Sequence, residues 1–174
     1  TQLAKRGLSR QPDGMFTATS LDELPDRKTM LSLSGLAFMQ AVQRGEISRP
    51  PISSLLNYTL DTVDVGRVSF RGTPDFTHTN PMGGVHGGWY GTLLDSCMAC
   101  AVMTTVPQGS IYTTLEYKVN LIRGIPLGTE IIATGFIDHA GRSTGVAHGE
   151  IRGALDGKIY ATGSTTCLIM KMIP

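Results

Sequence analysis

The sequence has little of what would mark a special environment. Only three of its 174 residues are cysteine, Cys97, Cys100 and Cys167. That is too few for a disulfide framework and suits a reducing, cytoplasmic setting. Charged residues are 17% of the chain, and fifteen basic against fourteen acidic side chains leave a net charge of +1. Neither a nucleic acid nor a membrane surface finds a broad electrostatic footprint in that balance. No apolar run approaches the roughly 20 residues that span a bilayer. Lys5, Arg6 and Arg10 are followed by no apolar core of the kind a secretory signal needs. The first residue is Thr1, as a trimmed start would leave. Apolar residues, at 41%, argue against disorder and suffice for one core at this length. Twenty-one glycines suit many turns, short strands and backbone packed close to a ligand.

Residues 1–28 are polar and broken by Gly7, Pro12, Gly14 and Pro25, which reads as a partly mobile arm. Over 28–44, Leu31, Leu36, Phe38, Met39 and Val42 fit one short amphipathic helix. Gly45 suits its C-terminal cap, and Pro50-Pro51 blocks continuation. No second helix and turn follow, so a helix-turn-helix reader is not expected. Residues 55–65 and 67–71 flank Gly66 as a hairpin, and 75–88 is a loop. From 87 to 105 the run is helical and apolar on every side, which predicts a buried helix. Four strands follow, over 111–123, 129–139, 143–152 and 158–172, with turns at Gly141 and Asp156-Gly157. Strict alternation in the first puts Leu115, Tyr117, Val119 and Leu121 on one face and Thr114, Glu116, Lys118 and Asn120 on the other. The plan is α+β, an antiparallel meander round one central helix.

Two features in this plan carry chemistry. Asp95 is the only Asp, Glu, Lys or Arg between Asp75 and Glu116, and it lies in the middle of the buried helix. A lone carboxylate in such surroundings is costly to desolvate, and enzymes place working acids there. The stretch from Asn80 to Gly88 reads N-P-M-G-G-V-H-G-G and leads into that helix, whose first amides have no intrahelical partner. The Gly87 amide is placed to be an oxyanion-hole donor, and His86 is either a helix cap or a site residue. His86 and Asp95 are nine residues apart, about 13.5 Å of helix and roughly 900° of rotation, hence on opposite faces. If both act on one reacting atom, two helices must run antiparallel about a twofold axis, so the protein is at least a dimer with composite sites.

Two motifs are set aside. The C-x-x-C of Cys97 and Cys100 lies in an apolar run with no second pair and reads as small buried hydrophobes. The G-x-S-x-G from Gly141 to Gly145 lacks a following helix and reads as a turn entering a strand. His78, His139 and His148 show no metal-ligand spacing.

At these residues the sequence resembles the hotdog-fold acyl-CoA thioesterases of the phenylacetate-degradation type. The resemblance rests on N-P-M-G-G-V-H-G-G followed by W-Y-G-T-L-L-D, on T-T-L-E-Y-K-V-N-L-I-R, and on G-R-S-T between two strands, and covers about 51–173. It implies a curved antiparallel sheet wrapped round a central helix, with an N-terminal helical extension. Residues 1–50 would be the arm and short helix, and 51–174 the hotdog domain. It implies hydrolysis of an acyl-CoA thioester with no metal and no cofactor, CoA being part of the substrate. Carried over, Gly87 donates to the thioester oxygen, and His86 and Asn80 position the thioester or the water. Asp95 of the other subunit is nucleophile or general base, and Thr114 orients the water or the carboxylate. Arg123, Arg142, Ser143 and Thr144 would contact CoA. Sheets would join edge to edge in a homodimer, with a second pairing to a homotetramer. A hotdog hydratase or dehydratase and a non-catalytic acyl-CoA-binding hotdog protein are the alternatives. Trp89, Tyr90 and Met98 fit either an acyl pocket or the core.

Overall fold

The structure is a computed structural model that describes residues 14–172. Residues 1–13, with Lys5, Arg6 and Arg10 of the arm, and residues 173–174 lie outside the described residues. A short 3-10 turn at Leu21–Glu23 precedes three small helices: α1 (Arg27–Ser32), α2 (Gly35–Gln43) and α3 (Pro51–Leu55). The hairpin of β1 (Tyr58–Asp64) and β2 (Arg67–Gly72) follows, then the central helix α4 (Gly87–Met103). The chain ends in β3 (Ser110–Leu121), β4 (Ile131–Ala140), β5 (Thr144–Gly153) and β6 (Ile159–Lys171). All six strands form one antiparallel sheet in the order β1-β2-β4-β5-β6-β3. The sheet curves round α4, which packs on β2, β3, β4, β5 and β6. This is the hotdog architecture.

α4 is buried because its side chains leave no polar stripe over most of its length. Leu93, Leu94, Cys97, Met98, Ala101 and Val102 have no exposed surface. Burying each large apolar side chain contributes about 1.5–3 kcal/mol before entropy is counted. The sheet comes close because Gly135 faces the helix, where a Cβ would lie 2.2 Å from the Cys97 carbonyl oxygen. Several of the glycines thus admit protein backbone.

Three local expectations are corrected. The single helix expected over 28–44 is two, because the Ser34 hydroxyl accepts from the Ala37 amide and caps a new start. Leu33 is extended between them. The strand expected from 55 begins later, because Pro51 opens α3 at its first position, where proline's missing N–H costs nothing. The described part of the arm is packed, with Met15, Phe16 and Ala18 buried. Met15, Met39 and Val42 share the same core as α4.

Gly35 carries the junction between the extension and the end of α4. Its amide donates to the Val106 carbonyl at 2.9 Å, and a Cβ there would lie 1.7 Å from the Met103 carbonyl oxygen. Gly35→Ala should therefore destabilise the protein by about 3 kcal/mol, the upper range for overpacking. A thermal melt should show Tm lowered by about 10 °C at this chain length.

The two sheet edges differ. At β1 the Gln43 side chain donates to the Asp61 carbonyl at 2.9 Å, and α2 and α3 pack alongside. β3 is paired with β6 only, so its outer edge has no partner strand among the described residues. Leu115, Tyr117 and Leu121 on β3 are 58%, 47% and 56% exposed.

Candidate active site

The start of α4 is held by a set of polar tethers. The His86 Nδ1 accepts from the Gly88 amide at 2.9 Å and caps the helix. With Nδ1 accepting, the neutral ring carries its proton on Nε2 and can donate it outward. The Trp89 indole N–H donates to the Leu56 carbonyl at 2.9 Å. The Tyr90 hydroxyl accepts from the Ile125 amide at 2.8 Å and donates to the Arg123 carbonyl at 3.4 Å. Both aromatics are buried, so they serve the core here and pin the helix start; Met98 is core as well. Sequence reading missed the tethers because their acceptors are backbone groups distant in the chain. The Gly87 amide, at the first position of this fixed helix end, has no hydrogen-bond partner among the described residues. It is a donor aimed out of the helix with the dipole behind it.

Asn80 shapes the loop before it. Its Oδ1 accepts from the amides of Met82 at 2.9 Å and Gly84 at 3.2 Å, and its backbone amide donates to the Gly84 carbonyl at 2.8 Å. That leaves the Nδ2 hydrogens as its remaining donors. His86 is tied back to the same loop, its amide donating to the His78 carbonyl at 2.9 Å.

Asp95 lies two turns further along α4, half-buried, and its Oδ1 accepts from the Thr114 hydroxyl at 3.1 Å. Burial pushes its carboxyl above the usual carboxylate range, and the Thr114 hydrogen bond pulls partly the other way. Strict alternation had put Thr114 on the face opposite Tyr117, Val119 and Leu121; this is corrected by a β-bulge. The register with β6 slips between Thr114 and Glu116, so Thr114 faces Cys167 while Tyr117 faces Thr165. Both partners are buried on the inner face. The extra residue turns Thr114 toward the helix and leaves Leu115 outside. Beside the acid, the Tyr58 and Ser96 hydroxyls are 3.1 Å apart. Nearby, burial pushes the Cys100 thiol up to about 12, with Asp95 adding to the rise. Burial raises the Cys97 thiol too, so neither is a thiolate at neutral pH. All three cysteines are free thiols, in keeping with the C-x-x-C reading.

One chain does not join its two halves. Gly87 and Asp95 are eight residues, about 12 Å, apart along α4. Leu121 marks the Gly87 end of β3, its Cδ1 3.3 Å from where a Gly87 Cβ would be. Arg123 follows at that end, its amide donating to the Tyr160 carbonyl at 3.0 Å. Arg142, Ser143 and Thr144 lie at the other end. Thr144 pairs with Leu168, whose other neighbour is Thr113. Their turn, closed by the Gly141 amide on the Thr144 carbonyl at 2.8 Å, enters β5 and no helix, so it is not a serine elbow. A cavity of about 420 Å³, lined by Arg49, Asn57, Tyr58, Thr59, Arg71 and Glu130 among others, includes none of Asn80, His86, Gly87, Asp95, Thr114, Arg123, Arg142, Ser143 and Thr144. Its Arg71 is matched by Asp61 at 3.0 Å and Glu130 at 3.3 Å. Among the described residues no helix is long and apolar enough to cross a membrane.

The fold and the site set the chain beside a class of proteins: the family model described as the thioesterase superfamily matches residues 82–159 of this chain. Among curated proteins, the chain is similar to mouse acyl-coenzyme A thioesterase 13, 30% identical over 89 residues. That alignment covers 51% of this chain and 63% of the mouse protein, so the match spans less than two thirds of that relative. The human protein of the same name is 25% identical over 108 residues, 62% of this chain and 76% of that one. Among solved structures, a putative thioesterase of Ralstonia eutropha JMP134, described as phenylacetic acid degradation-related, aligns with a TM-score of 0.68. It is 27% identical and covers 75% of this chain and 98% of that one.

Proposed function

We propose that this protein hydrolyses acyl-CoA thioesters to the free acid and CoA, in sites shared by two subunits. The observation that carries the reading is Asp95, a half-buried carboxylate with a raised pKa that accepts a hydrogen bond from Thr114, in a helix whose start presents the Gly87 amide, unpaired among the described residues. The curated relatives, named acyl-CoA thioesterases, support the substrate class.

In this reading the thioester carbonyl accepts from the Gly87 amide of one subunit, and His86 Nε2–H and the Asn80 amide group steady the same end. Asp95 of the other subunit, oriented by Thr114, takes a proton from water as its oxygen attacks the carbonyl carbon. The negative charge that develops on oxygen is met by the Gly87 amide, a contribution of about 2.7–4 kcal/mol in comparable oxyanion holes. The C–S bond then breaks, the acid forms and CoA leaves as the thiol with the proton returned. Burial makes Asp95 a stronger base than an exposed carboxylate. Arg123 from one end and Arg142, Ser143 and Thr144 from the other meet on CoA only when two copies combine. The mechanism uses no metal or cofactor, and dimers pairing into tetramers in the cytoplasm are its setting.

Release of CoA thiol over a panel of acyl-CoAs tests this. Turnover with at least one of them is expected, and binding without turnover would leave an acyl-CoA-binding protein. Hydration of an enoyl-CoA without thiol release would make it a hydratase.

A further inference from the structure

Resting on the reading of Asp95 as the base, we infer that Thr165 of β6 is a positioning residue of the site. Its hydroxyl holds the bulge that turns Thr114, in place of Leu115, toward Asp95. The pairing of β3 with β6 shows what the bulge decides. Tyr117 faces Thr165 and Glu116 faces Thr166, so an unbroken ladder would set Leu115 opposite Cys167. The bulge sets Thr114 there instead. Side chains alternate between the two faces of a strand, so one residue of slip exchanges Thr114 and Leu115. Only the bulged form offers Asp95 a hydroxyl; the unbroken one would turn a leucine toward it.

Burial works against the bulged form. It leaves Leu115 exposed and gives an inward position to a threonine. A bulge also interrupts the ladder, and a backbone group left over there needs another partner. Thr165 supplies one, its Oγ1 donating to the Glu116 carbonyl at 2.7 Å. Thr165 is 1% exposed, so water cannot take over this bond without entering the core. Glu116 is the first residue after the extra Leu115, and the bond ties it to the strand that carries Cys167, the residue facing Thr114. With the bulge fixed, the Thr114 hydroxyl reaches the Asp95 Oδ1 at 3.1 Å.

That hydrogen bond is what lowers the Asp95 pKa against the rise from burial. Tyr58 of β1, Cys97 and Cys100 of α4, Tyr112 of β3 and Cys167 of β6 lie within electrostatic reach of the acid. Burial raises each of them, so all are neutral where a carboxyl titrates. In the composite site the partner's His86 is a further titratable group, common to parent and variants. A difference between variants therefore reads the Thr114 bond.

The test follows Asp95 by carboxyl carbon NMR over pH in the full chain, alongside the acid limb of kcat/KM. Thr165→Val keeps the shape and removes the donor. It should move the Asp95 titration up by about one pH unit, about tenfold less ionised acid at a fixed pH below the limb. Thr165→Ser keeps a hydroxyl and should restore the parent titration. In a Thr114→Ala background Thr165→Val should add little, because the group it positions is gone. If Thr165→Val does not fold, Thr165→Cys, with a weak S–H donor, should give a smaller shift of the same sign. A lower melting temperature with the titration unmoved overturns the inference, and so does a shift that adds in full to that of Thr114→Ala. If the titration moves as expected but no acyl-CoA is hydrolysed by the parent, the positioning role stands and the thioesterase reading falls.

Discussion

Asp95→Asn should keep the fold and lower turnover by at least about a hundredfold, the effect of removing a general base. The amide is nearly the same size and can still accept from Thr114, so a loss of rate would be chemical. The variant should also melt at a higher temperature near neutral pH. The sign follows from the raised pKa of Asp95. A carboxyl whose pKa is higher folded than unfolded favours folding while protonated. It costs stability as pH rises through the unfolded and then the folded pKa, so above both values the charged form is a burden that asparagine removes. Activity runs the other way, since the base must be ionised. The acid limb of kcat/KM should lie above the usual carboxylate range, and Thr114→Ala should move it higher because the lowering hydrogen bond is gone. Near-parent turnover with a higher melting temperature would make Asp95 a structural residue.

The second large effect is recovery of activity from two dead proteins. Gly87→Pro removes the amide from the first position of α4, where proline fits the helix. The place of a Gly87 Cβ meets only the tip of Leu121, at 3.3 Å. Its homodimer should lose about 10²–10³ in kcat, as loss of one oxyanion donor does, and the Asp95→Asn homodimer should be as poor. In a mixed dimer both defects fall in one site. The other receives Asp95 from the Gly87→Pro chain and Gly87 from the Asp95→Asn chain. Co-refolding equal amounts makes half the dimers mixed, each with one good site of two, so about a quarter of parent activity should return. Circular dichroism on each homodimer and a mass measurement of the mixed species are the controls. Folded partners that exchange without recovery would show that Asp95 and Gly87 do not meet across an interface.

The elements that were legible in the sequence are those whose cause is local. The apolar run from 87 to 105 needed no partner to be read as a buried helix, since no polar stripe interrupts it. Turn residues at Gly141 and Asp156-Gly157 delimited strands that the structure shows at β4, β5 and β6. Asp95 was conspicuous because an acid amid apolar residues must be explained, and Gly87 because helix starts expose amides. The nine-residue offset of His86 and Asp95 already required two chains if both act together.

What the sequence could not show depends on partners distant in the chain. The split of 28–44 turns on Ser34, but also on Gly35, whose close approach is to Met103 nearly seventy positions later. Alternation alone sent Thr114 to the wrong face. A bulge is decided by how β3 meets β6, and no pattern within residues 111–123 contains that register. The tethers of Trp89 to Leu56 and of Tyr90 to Arg123 and Ile125 are bonds to backbone, which any residue type offers. Sequence thus determined which groups could do chemistry, because charge, hydroxyl and missing side chain are properties of single residues. Tertiary structure decided which of them touch, because contact between Thr114 and Asp95 is set by strand register and the separation of Gly87 from Asp95 by one rigid helix.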